Sequence, residues 1–330
     1  PMSDRELEKL FLKGSRDIDQ RQRDRIRQLQ GAEKALFEVL VARLTDALND
    51  GNGVVKTGRG SASINQLVDA ALKAVDRSHL NDFKKEFVTD LFGIMANSDV
   101  YNDELRKIAT KVGDKRFKAI QAEVDRVMRA SIGIDEKGRS IKGGFIDQVF
   151  TSDQVAKSVK EAVNAGVQSG KPMSLLIKEL RVITTGTKSV NGALQRYFEP
   201  YVFDQYQRLD RATNDGYAGK LGLDTFIYAG GLIETSRVFC EKRNAKVFTV
   251  EEANRDWPED KTLPRTAAEK KSETLVGYNP TLDLGRWNCR HRTRYISRSL
   301  AEHLRPDLKK VSGPKESLAD ILGVTDIVKR

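Results

Sequence analysis

The chain has 330 residues, 39% of them hydrophobic and 32% charged. That apolar share lies below the usual value but far above disordered composition, and the length allows one large domain or two to three ordinary ones. No run approaches the ~18 apolar residues of a membrane span, the N-terminus is charged rather than signal-like, and two cysteines are too few for a disulfide framework. A soluble, polar protein with much surface helix, made in a reducing cytoplasm, is therefore expected. Lysine and arginine outnumber aspartate and glutamate by 57 to 47, and the resulting +10 favours polyanionic partners. Pro1 ahead of Met2 reads as a tag-cleavage scar, with a processed precursor as the alternative.

The spacing of Leu36, Val39, Leu40, Leu44 and Leu48 predicts a helix over 4–49, forming an N-terminal arm at 1–50. Upstream, Arg21, Arg23, Arg25 and Arg27 alternate with other residues, as on a solvated face, with a portal- or DNA-facing role as the alternative. The glycines from Gly51 to Gly60 form a connector: they miss the G-x-G-x-x-G spacing, and no strand precedes them. A helical domain follows at 63–131. Ser63 is placed to cap a helix carrying Ile64, Leu67, Val68, Ala71, Leu72 and Val75. Phe83, Phe87, Leu91 and Ile94 mark a second helix, and Phe117, Ile120, Val124 and Val127 a third. His79 falls between two of these helices with no other ligand type near it. The glycine-rich stretch 132–151 reads as a domain boundary.

Beyond it, Ser152 is placed to cap a helix with Val155, Val159 and Val163, and Leu175, Leu176, Ile177 and Leu180 mark another after Gly170. A longer helix is predicted from Val190 to about Tyr217, which Pro200 should kink or split. After Gly222 the period changes. Residues 225–228 and 232–235 flank Gly230-Gly231, a hairpin signature. Thr249 and Glu252 form a capping box for a helix toward Trp257, and Tyr295, Ile296 and Leu300 predict a last helix. The fold class expected is mainly α, an elongated helical N-terminal region with a small C-terminal α+β subdomain built on the hairpin.

The chemistry-bearing residues sit in two short polar motifs, S-R-V-F-C ending at Cys240 and N-C-R-H holding Cys289 and His291. A structural zinc site ordinarily has four donors, typically in paired C-x2-C knuckles. Here one cysteine stands 49 positions before a C-x-H pair, and His303 would have to reach in from a helix. Zinc, two reduced buried cysteines packing a small core, and a late disulfide all stay open on the sequence alone. Around the second motif, eight basic residues between Arg286 and Lys310 face only Glu302 and Asp307. Arg286, Arg290, Arg292, Arg294 and Arg298, with Trp287 and Tyr295 among them, are candidate DNA contacts, charges for phosphate and rings for stacking. The competing reading pairs Arg290 and Arg292 with Glu234, Glu241 or Asp283 and leaves Arg294 and Arg298 exposed.

The order of these features, with A-K-V-F-T-V-E-E (245–252) opening a helix between the two cysteine motifs, resembles the head morphogenesis domain of tailed-bacteriophage minor head proteins, the MuF-like group. The resemblance covers roughly 150–300, within a domain at 150–310 whose hairpin and cysteine subdomain spans 222–300; residues 311–330 form a C-terminal tail. In that family the closing box usually reads H-P-x-C-R-C. Here Arg286 and Trp287 occupy the H-P places, Cys289 matches the first cysteine and His291 takes the second, which thins the implied metal site. The resemblance implies a virion structural protein and no enzyme. It would lie inside the head near the portal and contact portal protein, capsid shell proteins and double-stranded DNA without reading sequence. It would assist head assembly or genome delivery, with a ring-symmetric oligomer in keeping and no membrane partner in the assembled head. Two alternatives are a metal-dependent nuclease built on His291, although the chain has only three histidines, and a non-virion DNA-binding protein, for which no helix-turn-helix reader is found.

Overall fold

The computed structural model describes residues 2–48, 51–53, 61–151, 153–272, 275 and 277–310. The predicted tail at 311–330 and the Ser152 cap lie outside them. The elements are α1 (Asp4–Leu48), α2 (Ser61–Val75) followed by a π-helical turn at Asp76–Leu80, α3 (Asn81–Ala109), α4 (Asp114–Ser131), α5 (Phe145–Thr151), α6 (Gln154–Gln168), α7 (Met173–Thr185) and α8 (Ala193–Leu221). The C-terminal part holds β1 (Thr225–Ala229), α9 (Val238–Arg243), β2 (Val247–Thr249), α10 (Val250–Asp256), α11 (Ala267–Ser272), α12 (Pro280–Asp283), β3 (Arg292–Tyr295) and α13 (Arg298–Leu304). The protein is mainly α with a small α+β unit near its C-terminus. Among the described residues no helix is long and apolar enough to cross a membrane.

At 1.5 Å per residue the 45 residues of α1 make a rod about 68 Å long. Leu29, Ala32, Leu36, Leu40, Leu44 and Leu48 fall at three-four spacing and are buried, and the helix packs along α2, α3, α7 and α8. Residues of α1 to α8 contribute to one hydrophobic core, and Ile132, Ile134, Ile146 and Val149 from the stretch expected to be a boundary belong to it. Arg21 and Arg25 do not lie on a solvated face. They turn inward onto Asp90 of α3 at 2.8 and 3.0 Å, where the Tyr206 hydroxyl donates a third contact of 2.6 Å. Arg23 and Arg27 stay exposed.

Several local expectations shift. Helix α2 starts at Ser61, ahead of the expected cap at Ser63, and Met128 replaces Val127 on the buried face of α4. Helix α8 runs through Pro200 without a break. Phe198 and Val202, on either side of the proline, enter the same core, and their burial outweighs the ~3 kcal/mol that an internal proline costs.

The sheet has the order β2-β1-β3, with both neighbours antiparallel to β1. Phe226 pairs with Phe248 on one side and with Tyr295 on the other. The hairpin expected across Gly230-Gly231 does not form, because both edges of β1 are taken by strands from further along the chain. Residues 232–235 are instead exposed and irregular, and the chain returns through α9. Tyr295 ends a strand, so the last helix begins only at Arg298. The capping box is present: Thr249 Oγ accepts from the Glu252 amide at 3.0 Å, and the Thr249 amide donates to Glu252 at 2.9 Å. A second core sits under the sheet. Leu7 and Phe11 of α1, Tyr101 and Leu105 of α3 and Phe226 of β1 meet there around Trp257 and its neighbours. Trp257 takes Phe226, Tyr228, Phe239 and Phe248 edge to face.

Candidate functional site

Cys240 lies on α9, while Cys289 and His291 lead into β3, and all three are buried. The approach of the second motif is shaped by a loop in which Leu284, Arg286 and Asn288 take positive φ values of 47°, 65° and 57°. Side chains of three residues are costly there, so the loop must be held from outside. Arg211 of α8 does much of this, donating to the carbonyls of Leu282, Cys289 and His291. Arg237 donates to Gly285 and Trp287 at 3.0 and 2.8 Å, and the Tyr278 hydroxyl to Leu284 at 2.8 Å. Two glycines permit the close packing. A Cβ at Gly285 would lie 2.5 Å from Cys240 Sγ, and one at Gly230 would lie 2.8 Å from the His291 ring.

The result joins residues 49 positions apart. Cys240 Sγ and Cys289 Sγ are 3.9 Å apart, with both thiols free, and Cys289 Sγ is 3.8 Å from His291 Nδ1. The Tyr228 hydroxyl lies 3.3 Å from Cys240 Sγ and 3.6 Å from Cys289 Sγ, and its ring packs against His291 with centroids 4.6 Å apart and planes tilted by 34°. His291 Nε2 is buried without a partner. A hydrogen bond from Cys240 pulls the Cys289 thiol well below its ordinary pKa, and the same contact, with burial, pushes Cys240 up. Burial also raises Tyr228, which therefore stays a donor.

Cys240, Cys289 and His291 fit a zinc ion. Bonds of about 2.3 Å to sulfur and 2.05 Å to nitrogen imply tetrahedral edges of about 3.8 Å between sulfurs and about 3.6 Å from sulfur to nitrogen. The two separations that Cys289 makes, 3.9 Å to Cys240 Sγ and 3.8 Å to His291 Nδ1, match within a few tenths of an ångström, and all three ligand atoms lie within 4.8 Å of one another. There zinc would supply a cross-link between the motifs and a Lewis acid. His303 is not part of the group: it sits exposed on α13. Sequence reasoning missed Tyr228, Arg211 and Arg237, although Arg237 stood inside the quoted motif.

The cluster forms the floor of a cleft of about 660 Å3 walled by Arg196, Arg237, Arg290, Asn191, Asn288 and Glu199, among others. Trp287 is 42% exposed on the loop nearby, and Arg290 is exposed with its guanidinium over the Phe203 ring.

The remaining candidate DNA contacts are not displayed together. Arg292 is buried against Asp210 at 2.6 Å and reaches Ser15 of α1, because β3 lies between α8 and the start of α1. Arg294, expected to be exposed, is buried beside Glu8, and Tyr295 donates to Asp215 at 2.6 Å. Arg286 pairs with Glu269 at 2.6 Å and holds that carboxyl down at about 2. Arg298 is partly exposed and bridges Asp224 and Glu302. Comparison with protein-family models, with curated proteins and with solved structures returns no match.

Proposed function

We propose that the chain is a minor head protein of a tailed phage, a virion component that acts by binding and not by turnover. In this reading it is made in the host cytoplasm and resides inside the head near the portal. It touches portal protein, shell proteins and packaged double-stranded DNA, and it assists head assembly or genome delivery. The observation that carries the reading is the closure of S-R-V-F-C and N-C-R-H onto one buried donor cluster, since these two motifs bear the family resemblance. The net charge of +10 agrees with a polyanionic partner. Among the candidate DNA contacts, Arg290 and Trp287 are exposed and Arg298 partly so.

The test is the protein content of purified virions of the encoding phage. A few copies per particle, protected from protease until the head is opened, are expected. A chain found only in the lysate and never in particles overturns the proposal. For the DNA contact, Arg290→Glu should weaken retardation of duplex DNA severalfold and lower its salt dependence, whatever the DNA sequence. Retardation that is unchanged removes this contact.

A second reading, a metal-dependent nuclease, draws on three metal-type donors at the floor of a cleft. Plasmid nicking that needs added metal and disappears in His291→Ala would favour it over the head-protein reading.

A further inference from the structure

We propose that zinc held by Cys240, Cys289 and His291 keeps one coordination position open to the cleft, and that this position takes an anionic ligand. The inference rests on reading the cluster as a metal site. All three donors line the cleft floor, whereas Tyr228 is not among the lining residues. The Tyr228 hydroxyl is within hydrogen-bond reach of both sulfurs, at 3.3 and 3.6 Å, so it acts as a donor that steadies the thiolates. Gly285 closes another flank, where even a Cβ would lie 2.5 Å from Cys240 Sγ and 3.2 Å from Cys289 Sγ. Approach to the metal is thus from the cleft. A zinc ion with three protein ligands takes its fourth from solvent or a bound molecule.

The cleft selects for charge. Arg196, Arg237 and Arg290 line it with the amides of Asn191 and Asn288, against the carboxylate of Glu199, which already accepts from Asn191 at 2.6 Å. Three arginines against one glutamate among the lining residues favour an anion that combines direct binding to the metal with ion pairing to the walls.

Cobalt(II) substitution tests this, with azide as the probe anion. The full chain should take up one equivalent, giving a near-ultraviolet thiolate charge-transfer band and the visible bands of tetrahedral cobalt. Azide should then shift the visible bands saturably. Arg196→Ala with Arg290→Ala should weaken that response severalfold at unchanged cobalt stoichiometry. Tyr228→Phe should keep both the visible bands and the response. Cobalt bands that ignore azide, and that change in Tyr228→Phe, mean a closed site with the phenol as fourth ligand and overturn the proposal. Failure of the folded wild-type chain to bind cobalt at all overturns the metal reading itself, so the two failures are distinct.

Discussion

Glu33 shows what one buried carboxyl does to this fold. It is 1% exposed inside the helical body and accepts from the Gln195 amide at 2.7 Å, at the first turn of α8. Burial raises its pKa to about 7, against the pull of the Gln195 and Leu194 amides and of Arg196. The folded state therefore holds a proton that the unfolded chain releases near the ordinary value of 4.5. The stabilisation is complete below about 4.5 and is lost as pH rises through about 7. Glu33→Gln should flatten that part of the profile, and urea midpoints at pH 5 and pH 8 should converge relative to the wild type. A wild-type midpoint that climbs over this range through Glu33 would contradict the assignment. Leu36, one turn along the same helix and fully buried, should cost about 2–5 kcal/mol as Leu36→Ala in the same denaturation experiment.

Among the elements, β3 depends most on its neighbours. Its Arg292 and the Asp210 of α8 form an ion pair with side chains only 6% and 1% exposed. Removing one partner leaves an uncompensated buried charge, so Arg292→Ala should lower stability by about 3–5 kcal/mol, while Arg292→Met with Asp210→Leu should cost less. At α10, Thr249→Ala removes the cap and should cost about 1 kcal/mol by the same measurement. The contrast between these elements explains what the sequence made legible. Helices α1, α3 and α4 announced themselves because their apolar residues recur with the helix's own period. The Thr249–Glu252 box is a local pattern and was equally readable. Strand β3 reads R-T-R-Y, which carries no apolar alternation, because its burial is created by α1 and α8 and not by its own side chains. For the same reason the basic run around Cys289 suggested a surface, although Arg292 and Arg294 turn inward. The cluster's three donors were visible, but nothing local to residue 228 marks Tyr228 as the hydrogen-bond partner of their sulfurs, since β1 brings it there through the sheet.

For the whole molecule, helix α1 belongs to both cores: its middle and C-terminal part fill the first, while Leu7 and Phe11 enter the second. A chain shortened to begin after Ser15 should keep the first core but lose order around Trp257. Near-ultraviolet dichroism would report this as a loss of aromatic signal with most helical signal retained. This shared helix also sets a schedule. Phe11 leaves the ribosome well before the Arg292 guanidinium that covers its ring, which lies 281 positions later. At 5–20 residues per second that interval is on the order of 15–55 s. Until β3 emerges the nascent chain thus carries a helix α1 whose leading apolar turns have no completed seat, and the second core can close only when β3 has been made.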